Sequence, residues 1–121
     1  MKKILVIDDD IDWLNVFSVR LQYVGYQIFT MFDTLQAKRK VAEIKPDAIL
    51  LDIMMPAGGG LSILEYIRKN TDTFSTPVIV ITGKTDESVK KEAERLGISG
   101  YYIKPINSEQ ILKKLEAVLG E

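Results

Sequence analysis

The chain has 121 residues, 46% of them apolar, which suits one domain able to bury a core without disulfides or a structural metal. Sixteen basic residues against seventeen acidic ones leave a net charge of −1, which argues against nucleic-acid binding through bulk charge. Cys and His are both absent, so thiolate and imidazole chemistry is excluded, and any metal must be held by oxygen, favouring Mg²⁺, Mn²⁺ or Ca²⁺.

Taken in chain order, Ile4–Ile7 is the first apolar run and reads as a strand, with Asp8-Asp9-Asp10 directly after it. A helix follows, with Leu14, Phe17 and Leu21 on one face and Gly25 suited to its C-terminal cap. Tyr26–Thr30 is the second strand; Gln27 and Thr30 make it suit an edge. Asp33 with Gln36 looks like a variant capping box for a second helix along Ala37, Val41 and Ile44, and Pro46 bars that helix from continuing. Ala48–Leu51 is the third strand, followed by Asp52. Gly58-Gly59-Gly60 reads as a loop, and Leu61, Leu64 and Ile67 mark the third helix. Val78–Ile81 is the fourth strand, with Thr82 after it; Val89, Ala93 and Leu96 mark the fourth helix, capped by Gly97. Tyr101–Ile103 is the fifth strand, followed by Lys104-Pro105, and Asn107 with Gln110 opens a fifth helix along Ile111, Leu115 and Val118.

No linker, repeat or low-complexity segment interrupts this pattern, so residues 1–121 are read as a single domain. The basic pairs and the run Lys38-Arg39-Lys40 are scattered and read as solvated faces. No apolar run approaches the roughly 18 residues of a membrane span, and Met1-Lys2-Lys3 leads into a strand rather than a signal peptide, so the expected setting is the cytoplasm.

Alternating strands and helices imply a parallel sheet with helices on both faces, and at this size the expected strand order is 2-1-3-4-5. Ligands in such sheets bind at the carboxyl ends of the strands, near the switch point between strands 1 and 3. The polar residues fall there: Asp8 and Asp9, Asp52, Thr82 and Lys104 each follow one of four neighbouring strands, and the second strand supplies none. Three clustered carboxylates repel unless protons or a cation join them, and a divalent ion that relieves the repulsion can also bind phosphoryl oxygens. Asp52 can act as nucleophile, Lys104 as a positive point charge and Thr82 as a hydroxyl donor for phosphoryl oxygens.

With these residues in place, the chain resembles the receiver domains of bacterial two-component response regulators. The resemblance runs from about Lys3 to Leu119 and is carried by ILVIDDD at 4–10, LLDIMMP at 50–56, VIVITG at 78–83 and YYIKP at 101–105. It implies a doubly wound, flavodoxin-like fold. It implies that Asp52 is the phosphoacceptor, and that Asp8 and Asp9 are the acidic pair, with Asp9 a direct ligand of Mg²⁺ (or Mn²⁺) and the Met54 backbone carbonyl completing the protein's share. Thr82 and Lys104 would follow the phosphoryl group, Tyr101 would be the aromatic switch, and Pro105 would follow a cis peptide bond. Phosphohistidine of a sensor histidine kinase or phosphotransfer protein would be the donor. The output surface for an effector would be the fourth helix, fifth strand and fifth helix, with no direct nucleic-acid or membrane partner. Such a domain catalyses its own phosphorylation and dephosphorylation but is not a turnover enzyme. Departures from the family pattern are Gly83 where Ala is frequent, Ile106 where Phe is frequent, and no clear charge pattern for dimerisation through the fourth and fifth helices.

Blander readings stand beside these. Asp10 is read as a helix cap, Trp13 as a partly buried helix residue near the site without a chemical role, and the Met54 and Met55 side chains as structural. An alternative is a haloacid-dehalogenase-type phosphatase with Asp8 as nucleophile, although no acidic pair follows Lys104 and no cap domain is present. A flavodoxin-like cofactor binder is disfavoured because Asp8-Asp9-Asp10 would repel a phosphate. The chain fits a single-domain regulator or the receiver part of a longer one.

Overall fold

The elements alternate strictly: β1 (Lys3–Ile7), α1 (Ile11–Tyr23), β2 (Gln27–Met31), α2 (Thr34–Ile44), β3 (Ala48–Leu51), α3 (Gly59–Lys69), β4 (Val78–Thr82), α4 (Glu87–Leu96), β5 (Gly100–Ile103) and α5 (Ser108–Leu119). The computed structural model describes residues 1–55 and 59–121. All strand pairs are parallel, and the order is β2-β1-β3-β4-β5, as expected from the alternation.

Successive side chains on a strand point to opposite faces, so each inner strand feeds two separate cores. Leu5, Ile7, Ile49, Leu51 and Val80 pack with Ala37 and Val41 of α2, Ile63, Leu64 and Ile67 of α3 and Ala93 of α4. Ile4, Val6, Leu50, Ile79 and Ile81 pack on the other face with Leu14, Phe17 and Leu21 of α1 and Ile111 and Leu115 of α5. This explains why the inner strands are continuously apolar. β2 lies at an edge with Gln27 and Thr30 exposed, as its composition implies.

Side-chain caps begin α1, α2, α4 and α5. Asp10, Asp33 and Asp86 accept from the backbone N–H of Trp13, Gln36 and Val89. Asn107 caps α5 through Glu109 N–H rather than Gln110; the Gln110 N–H goes to the Asn107 carbonyl instead. Gly25 and Gly97 hold φ of 105° and 98° at the ends of α1 and α4, where a Cβ would be strained.

One expectation is corrected. Gly59 and Gly60 are the first residues of α3, not loop. A Cβ on Gly60 would overlap the backbone of Ile53, so glycine here permits close approach of the helix to the segment after β3. Gly58 of the expected loop, and Pro56 of the second motif, lie outside the described residues. The Lys104-Pro105 peptide is cis. Among the described residues no helix is long and apolar enough to cross a membrane.

Candidate functional site

Four strands, β1, β3, β4 and β5, each end by delivering a polar side chain to the same rim. Asp8 continues from β1 with its N–H still bonded to the Met31 carbonyl, and Asp52 continues from β3 with its N–H on the Ile7 carbonyl. Thr82 closes β4 and is fully buried; the N–H of Lys104, just past β5, donates to the Thr82 carbonyl at 2.7 Å. The ladder therefore fixes all four backbones before any side chain is considered.

The Asp8 carboxylate is 1% exposed. Its Oδ1 accepts from Asp10 N–H at 2.9 Å and its Oδ2 from Lys104 Nζ at 2.6 Å. Burial, with the Asp52 charge nearby, pushes the Asp8 carboxyl up to about 6, against the opposing pull of the Lys104 and Asp10 hydrogen bonds. Asp52 is also buried, and its Oδ1 accepts from Met54 N–H at 3.0 Å. Asp9 is exposed. Asp8, Asp9 and Asp52 each offer a carboxylate oxygen, all within 4.8 Å of one another. Three hard oxygen donors, one of them held above its ordinary pKa by burial and a neighbouring negative charge, fit an oxygen-preferring divalent cation.

Asp9, Asp10, Asp52, Met54, Thr82, Gly83, Lys84 and Lys104 line a cleft of about 410 Å³. Among the described residues Thr82 Oγ1 has only a long contact, 3.5 Å, from Lys84 N–H. A Cβ on Gly83 would meet nothing within 4 Å. Tyr101 packs against the core layer of α2, α3 and α4. Its hydroxyl is buried without a hydrogen-bond partner among the described residues, and Lys90 Nζ lies 5.3 Å from its ring centre.

The structure thus brings Asp8, Asp9, Asp52, Thr82 and Lys104 together, and packs Tyr101 against the core layer of α2, α3 and α4. Asp10 caps α1 as read, while also lining the cleft. Sequence reasoning passed over two residues. Lys84 lines the cleft, two positions beyond Thr82. Trp13, read as having no chemical role, presents its ring to Lys104 Nζ at 4.5 Å. Periodicity shows which face Trp13 occupies, but not that a residue after β5 reaches it.

A sequence model described as the response regulator receiver domain matches residues 4–116. The chain is 31% identical over 118 residues, 98% of its length, to the phosphate regulon transcriptional regulatory protein PhoB of Pseudomonas aeruginosa, and spans about half, 52%, of that relative. Among solved structures it is similar to the chemotaxis protein CheY4 of Vibrio cholerae, with a TM-score of 0.89 and 33% identity over 98% of this chain and 99% of that one. It is also similar to the receiver domain of the sensor histidine kinase PA1611 of Pseudomonas aeruginosa, with a TM-score of 0.88 and 25% identity over 99% and 98% of the two chains. The PA1611 receiver domain holds a magnesium ion coordinated in its active site cleft.

Proposed function

Since the chain belongs to the response regulator receiver domain family, we propose that residues 1–121 act as one phosphoacceptor signalling domain, with Asp52 as the residue that takes the phosphoryl group. The observation that carries this reading is the position of Asp52. Its carboxylate lies in the open cleft, with Thr82, Lys84 and Lys104 on the same walls. Asp8, the nucleophile of the alternative phosphatase reading, is buried and bound by Lys104.

In the proposed step an Asp52 carboxylate oxygen attacks phosphorus and the bond to the donor's leaving group breaks. The donor is a phosphohistidine of a sensor kinase or phosphotransfer protein, whose imidazole departs with the bonding electrons; this chain has no His of its own. Asp8, Asp9, Asp52 and the Met54 carbonyl would hold Mg²⁺, which when bound would supply positive charge to the carboxylates and phosphoryl oxygens. The magnesium-containing relative supports that choice of ion. Lys104 and the Thr82 hydroxyl donate to phosphoryl oxygens. Movement of Thr82 toward the group changes the space available to Tyr101, which couples the site to the α4–β5–α5 surface, where an effector binds. The domain is consumed as a switch rather than turning over a metabolite.

The test is incubation with acetyl phosphate and Mg²⁺ followed by intact mass measurement, beside Asp52→Asn and EDTA controls. The expected result is gain of one phosphoryl mass, lost in both controls. Undiminished labelling of Asp52→Asn would overturn the assignment. If hydrolysis outruns detection, beryllofluoride binding replaces the mass readout, and no response there would also overturn it.

A further inference from the structure

We infer that Trp13 is a positioning residue for Lys104, an inference that rests on the phosphoacceptor reading of Asp52. A lysine is a compact charge on a flexible four-carbon stem, and holding it in one place at the cleft costs rotamer freedom that its contacts must offset. Here the seat has two walls. Asp8 Oδ2 is 2.6 Å from Lys104 Nζ on one side, and the Trp13 ring centre is 4.5 Å away on the other. That distance is well within range of attraction between an ammonium and the indole face.

The indole is itself held. The Trp13 backbone N–H donates to the Asp10 cap at 3.1 Å, so the start of α1 fixes where the side chain leaves the helix. The ring stacks on Phe17, with centroids 4.6 Å apart and planes inclined by 13°. Phe17 is only 5% exposed and sits in the core layer shared with α5. Trp13 does not line the cleft, so it acts through Lys104 rather than on the phosphoryl group. Keeping the ammonium at the cleft before the donor arrives is preorganisation, and the ordering cost is not met again during reaction.

Trp13→Leu keeps apolar bulk and removes the aromatic face; Trp13→Phe keeps a face. With acetyl phosphate at fixed Mg²⁺, the initial phosphorylation rate of Trp13→Leu is expected to fall by about two- to fivefold, the range that such a contact supplies. Trp13→Phe should recover most of that loss. In a Lys104→Met background Trp13→Leu should change nothing further. An unchanged or faster rate for Trp13→Leu, or an equal loss in the Lys104→Met background, would overturn the positioning role. A second readout needs no phosphodonor. Trp13 is the chain's single Trp, so Lys104→Met should shift its fluorescence emission in metal-free buffer, and an unchanged spectrum would overturn the contact itself. If Lys104→Met shifts the emission yet the wild type takes up no phosphoryl group, the Asp52 reading fails instead, and the positioning role with it.

Discussion

The Lys104 ammonium meets the Asp8 carboxylate at 2.6 Å although 96 residues separate them in the chain, and β3 and β4 lie between the strands they follow. The pair is nearly dry, with side chains 15% and 1% exposed. Such a pair is strongly held once formed but offsets a large desolvation cost, so removing one partner is far more disruptive than its attraction alone implies. The same burial gives Asp8 a titration that can be read in stability.

The folded-state pKa of Asp8 is about 6, above its ordinary 3.8. Between those values the native chain binds more protons than the unfolded chain, so this group makes stability fall as pH rises through that window. Urea unfolding in EDTA should therefore show wild type gaining on Asp8→Asn as pH drops from 7 toward 5. Mg²⁺ should raise the stability of wild type more at pH 7.5 than at pH 5.5, because protons compete for the same carboxylate; saturation at a hundred times Kd corresponds to about 2.7 kcal/mol. Equal Mg²⁺ stabilisation of wild type and an Asp8→Asn, Asp9→Asn double variant would contradict the cation site.

Tyr101 buries a hydroxyl that finds no partner among the described residues. An unsatisfied buried group costs about 1–3 kcal/mol. Tyr101→Phe is thus expected to stabilise the unphosphorylated chain by about 1 kcal/mol, a rise of a few degrees in Tm. A lower Tm would mean that the hydroxyl is satisfied in solution.

The Arg68 guanidinium donates to the carbonyls of Leu96, Gly97, Phe74 and Thr76. It ties the end of α3 to the loop before β4 and to the end of α4. Arg68→Met keeps the stem but orphans these acceptors, and should cost about 2–3 kcal/mol in chemical denaturation. Amide exchange should speed up most at the C-terminal turn of α4; a uniform change would argue against a local tie.

Gly60→Ala places a methyl group against the Ile53 backbone, which cannot swing aside as a side chain can. A loss of about 2 kcal/mol or more is expected from thermal melts followed by circular dichroism. Gly83→Ala, where a Cβ meets open space, is the matched control and should melt like wild type.

The fold was legible because strands buried on both faces leave long apolar runs, and because a polar residue at the end of four of the five strands shows where the run stops. Strand bounds were less legible, since they belong to the ladder rather than to composition. Tyr26 looks like strand, yet its N–H turns back to the Leu21 carbonyl and its hydroxyl reaches Glu121; the ladder starts at Gln27, opposite Lys3. Thr82 looks like the first residue after β4 and is its last, because Lys104 N–H extends the pairing. Gly59 and Gly60 have the composition of a turn, and only the nearness of Ile53 shows why a helix should begin with them. The gathering of Asp8, Asp9, Asp52, Thr82 and Lys104 could be anticipated from strand order. The contact between Trp13 and Lys104 could not, because no local pattern links a helix face to a side chain arriving from the far side of the sheet.

The two cores lie on opposite faces of the sheet. Trp13 belongs to the layer of α1 and α5, Tyr101 to the layer of α2, α3 and α4. On the proposed phosphoacceptor reading, one chemical event at the strand ends would be legible from two sides through separate materials. On that reading, repacking one layer would leave the other's aromatic in place, so the two faces could acquire different listeners independently, with the sheet as a wall between them.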